Sequence, residues 1–135
     1  MYEDAELILE ARHITKKYPA SNHRTLVANR DISLNFYRGK TLGLVGESGC
    51  GKSTFMRMMV SLEAPTEGEI LYRGQDITKL RGEALRQHRQ KIQMVFQDPA
   101  AAFHPKMRIM DIICEPLLNF RRIQHSQRAA KAREL

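Results

Sequence analysis

Residues 46 to 54 read GESGCGKST, and this short stretch constrains the fold more than any other part of the chain. Its first eight residues fit the pattern GxxxxGK[ST], which has a structural meaning only between a strand and a helix. The preceding TLGLVG is a short apolar run without polar alternation, as in a strand buried on both faces. Apolar residues at helical spacing follow, namely Phe55, Met58, Met59 and Leu62. A strand, a glycine loop and a helix in this order predict an α/β fold.

Each position of the stretch has a physical reason if the ligand carries phosphates. Glycines let the backbone N–H groups point inward, and the helix that follows presents its own free N–H groups to the same anion. Lys52 is expected to bridge the β- and γ-phosphates, the Ser53 hydroxyl to bind Mg²⁺ and Thr54 to donate to the α-phosphate. The expected ligands are ATP and Mg²⁺. The candidate binding residues are Gly46, Glu47, Ser48, Gly49, Cys50, Gly51, Lys52, Ser53 and Thr54, of which Lys52 is also a candidate catalytic residue.

Two other interpretations of the stretch are open at this point. It could be a glycine turn that merely joins a strand to a helix, although the lysine and the adjacent hydroxyl pair favour phosphate binding. Cys50 invites a redox interpretation, because a thiol at a helix N-terminus can be reactive. A small residue is all that this position of the loop requires, which favours the simpler interpretation.

The composition limits the partners. The chain has 135 residues, a net charge of +7 and a pI near 9.7, which suit nucleic acid, an anionic membrane surface or a polyphosphate ligand. Five basic residues cluster near the end, but no aromatic residues interleave with them, which favours a solvated helix face and no nucleic-acid partner. We expect reduced thiols, histidines that lie at the surface or in loops and bind no metal, and a location in the cytosol or on the cytosolic side of a membrane. The basic cluster is Arg121, Arg122, Arg128, Lys131 and Arg133; the histidines are His13, His23, His88, His104 and His125.

The remaining segments predict alternating strands and helices. Strands are predicted at LILEARHI, DISLNF, EILYRG and KIQMVF, and a short polar helix at ALRQHRQ. Two more helices are predicted at 109–119 and 126–135. The predicted division is 1–98 for a β segment with the phosphate-loop unit, and 99–135 for a helical part.

The order LVGESGCGKST, EGEILYRGQDIT and IQMVFQDP resembles the nucleotide-binding domain of ABC transporters, most closely ATP-binding subunits of oligopeptide, dipeptide and nickel importers. HPKMRIMDIICEPL is similar to the helical subdomain of that branch, whereas AAAFHP departs from its usual Ser-Leu-Asn-Pro-like turn. The resemblance implies an incomplete domain: a P-loop NTPase core with an N-terminal antiparallel β segment and the start of an α-helical subdomain.

The resemblance also implies roles for residues outside the glycine loop. Tyr18 matches the aromatic residue that stacks on adenine, and the less favoured alternative is an ordinary tyrosine at a strand end. Gln97 matches the glutamine that reaches Mg²⁺ and the attacking water. Asp98 could instead hold Mg²⁺, as in another P-loop class, but the ABC pattern accounts for both Gln97 and the following Asp-Pro.

The implied partners are a sibling or identical ATPase subunit in a head-to-tail dimer, membrane permease subunits that dock around 103–118 and, indirectly, a solute-binding protein. The expected place is the cytoplasmic face of the membrane. The sequence contains no LSGGQ-like signature, no apolar strand ending in Asp-Glu and no switch histidine, so it is expected to bind nucleotide better than it hydrolyses it. A stand-alone nucleotide-binding module and a small P-loop kinase or GTPase are the alternatives, and the solute, peptide or nickel, is left open.

Overall fold

The computed structural model describes residues 5–21, 24–98 and 103–135. Its backbone divides into two compact units, Met1–Met94 and Val95–Leu135. The sequence-based division between residues 98 and 99 stays a prediction. His23 and residues 99–102, which include the first half of the predicted AAAFHP loop, lie outside the described residues.

The first unit contains a four-stranded antiparallel sheet in the order β2-β1-β3-β4. In β1 the alternating residues Leu9 and Ala11 are buried, and in β2 Leu34 and Phe36 pack against the same core. The predicted N-terminal antiparallel β segment is therefore confirmed, although both long strands extend beyond the predicted ends. The strands are β1 (Leu7–Pro19), β2 (Thr25–Tyr37), β3 (Glu67–Tyr72) and β4 (Gln75–Asp76).

Helix α1 (Lys52–Met59) places its apolar face against this sheet. Phe55, Met58 and Met59 are buried together with sheet residues, which confirms that these methionines belong to the core. Leu62 was expected on the same face, but it is 47% exposed. The reason is that the helix ends at Met59 and Ser61 then adopts a left-handed conformation with φ of 57°, so the helical spacing does not reach Leu62.

Two predicted strands do not form. Residues 41–46 and 91–96 lie outside the sheet, and within the described parts of the chain no strand pairs with either segment. Val45 is 97% exposed and Val95 is 87% exposed, although both belong to apolar runs typical of buried strands. A strand of this type needs neighbours on both edges to satisfy its backbone, and the apolar pattern alone cannot supply them.

Helix α2 (Gly82–Arg89) confirms the predicted polar helix, but the prediction for one of its residues, His88, is wrong. His88 was expected at the surface but is only 5% exposed, with its ring edge-on to Tyr72 at 5.2 Å between centroids. Its Nε2 is buried and has no hydrogen-bond partner among the described residues. Burial lowers the pKa of His88 below its ordinary value, and the nearby Lys91 lowers it further.

The second unit is helical, with α3 (Ile109–Asn119) and α4 (Arg128–Glu134). Both predicted helices are present, the second starting two residues later because a 3-10 turn occupies His125–Gln127. Arg128 binds Asp111 at 2.6 Å, and the fully buried Cys114 lies 3.5 Å from the Arg128 carbonyl oxygen, so the two helices are held together. No helix in the described residues is long and apolar enough to cross a membrane.

The buried methionines of α1 provide a test of the core. We expect Met58→Ala to lower the free energy of unfolding by about 2–5 kcal/mol, because the side chain is fully buried and its removal leaves a cavity. Leu62→Ala is the matched control and should cost about 1 kcal/mol or less, since Leu62 is half exposed. Urea unfolding measures both; equal losses would contradict the described end of α1.

His88 provides a pH test. Because its pKa is lower in the folded than in the unfolded chain, the unfolded chain binds more protons, and stability falls as pH drops below about 6.5. We expect His88→Phe to reduce the decrease in Tm between pH 8 and pH 5.5. The matched control is His125→Phe, at an exposed position. Parallel pH curves for the wild type and His88→Phe would contradict the burial of a neutral imidazole.

Candidate phosphate-binding site

The glycine-rich stretch forms a closed loop around the ammonium group of Lys52. The Lys52 Nζ donates hydrogen bonds to the carbonyl oxygens of Gly46 at 2.7 Å and Glu47 at 2.6 Å, and lies 3.4 Å from the Cys50 Sγ. A Cβ atom at Gly46 would come within 2.9 Å of that sulfur, so the inside of the loop has little room for a further side chain. The loop therefore holds a positive charge within a concave turn of backbone.

Gly51 joins this loop to the sheet. It precedes α1 as its N-cap with φ of 95°, a conformation that favours glycine. A Cβ atom here would lie 2.3 Å from the Ala28 carbonyl oxygen and 2.8 Å from the Asn29 Nδ2, both in β2. The buried Asn29 donates from Nδ2 to the Gly51 carbonyl oxygen at 3.2 Å, while its Oδ1 has no partner among the described residues. Backbone contact with β2 thus fixes where the helix begins.

The start of α1 favours an anion. The Gly51 N-cap has no side chain to cap the first N–H groups, and the first turn contains no acidic residue. The Phe55 N–H is bonded to the Gly51 carbonyl oxygen, so the orphan N–H groups of this end precede it. Ser53 is exposed and Thr54 half-buried beside Lys52. Backbone N–H groups, an ammonium and two hydroxyls are a donor set that fits a polyphosphate and an associated Mg²⁺.

Tyr18, at the end of β1, lies next to this first helical turn. Its hydroxyl donates to the Glu63 Oε2 at 2.6 Å, and the Lys16 Nζ sits 5.1 Å from the centre of its ring. The bond to Glu63 raises the pKa of Tyr18, while a side-chain hydrogen bond with Thr54 acts in the opposite direction. The structure therefore brings Tyr18 to Thr54, the last residue of the predicted site, within the first unit.

The other predicted residues are placed differently. Glu47, Ser48, Gly49 and Cys50 are exposed along the loop. Gln97 and Asp98 are exposed and belong to the second unit, 95–135. Within the described residues, no group of three or more His, Cys, Asp and Glu side chains is arranged to hold a metal ion.

Sequence reasoning missed Asn29, Glu63 and Lys16, which contact the predicted residues directly. Glu63 is 45 positions from Tyr18, so no local pattern could have linked the two. Lys16 is only two residues before Tyr18 in β1, but an isolated lysine in a strand does not by itself indicate a contact with the ring. Asn29 gives only a weak signal of a structural role in the sequence. It is a polar residue in strand β2, and the fold buries it. A buried amide is commonly retained only where it bonds to backbone.

Comparisons with known proteins identify the family of the chain. The ABC transporter family matches residues 29–135, so the chain belongs to the ABC transporter family. Among similar proteins, the oligopeptide transport ATP-binding protein OppF of Haemophilus influenzae is 43% identical over 120 residues, covering 83% of this chain and 36% of OppF. The dipeptide transport ATP-binding protein DppF of Escherichia coli is 42% identical over 130 residues, covering 93% of this chain and 39% of DppF.

Solved structures show the same fold. The ATP-binding cassette MJ0796, in a dimeric post-hydrolysis state bound to ADP and Pi, matches with a TM-score of 0.81 and 27% identity, over 94% of this chain and 55% of that one. Its dimeric structure as a bacterial ABC transporter cassette matches equally well. The chain thus spans about two fifths of the length of its curated relatives and about half of the solved cassette.

Two glycines of the loop allow a matched test of this geometry. We expect Gly51→Ala to lower stability by more than 2 kcal/mol, because its Cβ would collide with the backbone of β2. Gly49→Ala also places alanine at a positive φ, 79°, but meets no atom within 4 Å, so it should cost about 1 kcal/mol. Thermal and urea unfolding measure the difference. Equal costs would contradict the close approach of Gly51 to Ala28.

Proposed function

We propose that this chain provides the nucleotide-binding part of an ABC transporter ATP-binding subunit, and that it binds MgATP at the loop 46–54. The observation that carries the proposal is the ammonium of Lys52 held by the carbonyl oxygens of Gly46 and Glu47 at the start of α1. A triphosphate offers that ammonium full negative charges where the carbonyl oxygens offer only dipoles, so the hydrogen bonds gain a direct attraction between opposite charges. Nucleotide binding therefore exchanges two carbonyl contacts of Lys52 for phosphate contacts.

The roles of the other residues follow from their positions. The N–H groups of the loop and of the first turn of α1 are proposed to bind phosphate oxygens, with Thr54 donating from its hydroxyl. Ser53 is proposed to hold Mg²⁺, and the ion would neutralise negative charge on the phosphates. For Gln97, the magnesium-side role stays a proposal that rests on its match to the family motif alone. The ring of Tyr18 is proposed to stack on adenine, a contact that requires no specific edge hydrogen bonds.

The whole protein is proposed to be the ATPase subunit of a peptide importer. The names of the curated relatives, which are oligopeptide and dipeptide transport ATP-binding proteins, support a peptide as the solute. The dimeric cassette MJ0796 supports pairing with a second ATPase subunit. Permease subunits would bind the helical unit and so hold this subunit at the membrane surface. ATP hydrolysis by the subunit would drive transport. Membership of the ABC family favours this proposal over a P-loop kinase or GTPase.

Lys52→Ala tests the proposal. We expect it to weaken MgATP binding at least ten- to a hundredfold, because hydrogen bonds to charged groups contribute about 1.5–3 kcal/mol each. Lys79→Ala, which removes the same charge from an exposed position, is the matched control and should bind MgATP like the wild type. Isothermal titration calorimetry measures both. Wild-type affinity in Lys52→Ala would contradict a phosphate site in this loop.

A further inference from the structure

Glu63 lies in the segment that follows α1, outside the glycine-rich motif and outside the stretches on which the resemblance was based, yet it bonds to Tyr18 of the candidate site. We propose that Glu63 is a positioning residue for nucleotide-base binding: by holding the Tyr18 hydroxyl, it fixes the orientation of the ring on which the base stacks. This inference rests on the proposed function, because it assigns Glu63 a part in the same MgATP site.

The hydrogen bond joins two distant parts of the chain. Tyr18 ends β1 and Glu63 follows α1, 45 positions later, and the bond between them is 2.6 Å long and partly buried. The bond lowers the pKa of Glu63 and raises the pKa of Tyr18. The carboxylate is therefore ionised and the phenol protonated near neutral pH, so the bond is a charge-assisted one.

Glu63 is itself held in place by two cations. The Lys16 Nζ lies 3.5 Å from the Glu63 Oε2, and the Arg57 Nη1 lies 3.7 Å from the other oxygen, Oε1. Lys16 also donates to the Ala64 carbonyl oxygen at 2.7 Å, which anchors it to the same segment. The side chains of Lys16 and Glu63 are only 15% and 25% exposed. A carboxylate restrained in this way offers the tyrosine hydroxyl a single acceptor position.

The surroundings of the ring define a face for stacking. The Lys16 ammonium lies over the Tyr18 ring at 5.1 Å from its centre, so it covers one face by a cation–π contact. The hydroxyl end also interacts with Thr54, in the first turn of α1 two residues after Lys52. Because Glu63 holds the tip of the ring and Lys16 covers one face, we expect a base to stack on the opposite face. Fixing it before binding lowers the entropy lost when the nucleotide binds.

A purely structural role for the same bond makes a different prediction. If the bond only holds β1 to the segment after α1, losing it should affect every ligand of the loop alike. If it orients the ring, the loss should affect only ligands that carry a base. Inorganic tripolyphosphate with Mg²⁺ has the phosphates of MgATP without the base, and is therefore the probe that separates the two roles.

The experiment titrates the 135-residue chain with MgATP and with Mg-tripolyphosphate by calorimetry. We expect Glu63→Ala to weaken MgATP binding about three- to tenfold, because a ring that is no longer held in place keeps only part of its stacking contact with the base, while tripolyphosphate binding stays within twofold. Glu63→Gln keeps an acceptor for the hydroxyl and should recover most of the affinity. Tyr18→Phe keeps the ring and removes the hydroxyl, so it should match Glu63→Ala. The double variant should be no weaker than either single variant.

Several outcomes would overturn the inference. Unchanged MgATP affinity in both Glu63→Ala and Tyr18→Phe, equal losses for MgATP and tripolyphosphate, or additive losses in the double variant would each remove the positioning role. These results are distinct from failure of the proposed function, in which the unsubstituted chain binds neither ligand. If Glu63→Ala lowers Tm so far that binding cannot be measured, Tyr18→Phe and Glu63→Gln decide the question, since each changes the bond with little change in volume.

Discussion

The close approach of Gly51 to β2 is the constraint on which the first unit depends. The missing side chain lets the loop backbone lie against Ala28 and Asn29, and the left-handed φ of 95° turns the chain directly into α1. The helix then places Phe55, Met58 and Met59 in the core, while its N-terminal N–H groups face the loop. A single backbone contact thus sets both the packing of the helix and the direction of its positive end.

The site follows from this packing because its parts come from elements that the core holds together. Strand β1 contributes Tyr18, β2 contributes Asn29 beneath the loop, and α1 contributes Lys52 and Thr54. The buried face of α1 determines how far its first turn lies from the end of β1. The phosphate donors and the aromatic ring are therefore spaced by the fold, and Lys16 and Glu63 refine the position of the ring.

The sequence was most informative where the relevant contacts are local. Helix α1 with its buried methionines, α2 and both helices of the second unit follow from short-range spacing and are present, although α1 ends before Leu62 and α4 begins two residues later than predicted. The strands at 41–46 and 91–96 did not form, because pairing depends on neighbours that a local apolar run does not specify. The burial of His88 and the bond between Glu63 and Tyr18 depend on contacts between distant segments, which spacing along the chain cannot reveal.

The most direct test of the central claim is a crystal structure of the chain with Mg²⁺ and a non-hydrolysable ATP analogue. The account predicts that the Lys52 Nζ leaves the carbonyl oxygens of Gly46 and Glu47, now at 2.7 and 2.6 Å, and binds phosphate oxygens within the loop. The N–H groups at the start of α1 should lie within hydrogen-bond distance of the same phosphates. A nucleotide bound elsewhere, with Lys52 still on its two carbonyl oxygens, would contradict the assignment of this loop as the phosphate site.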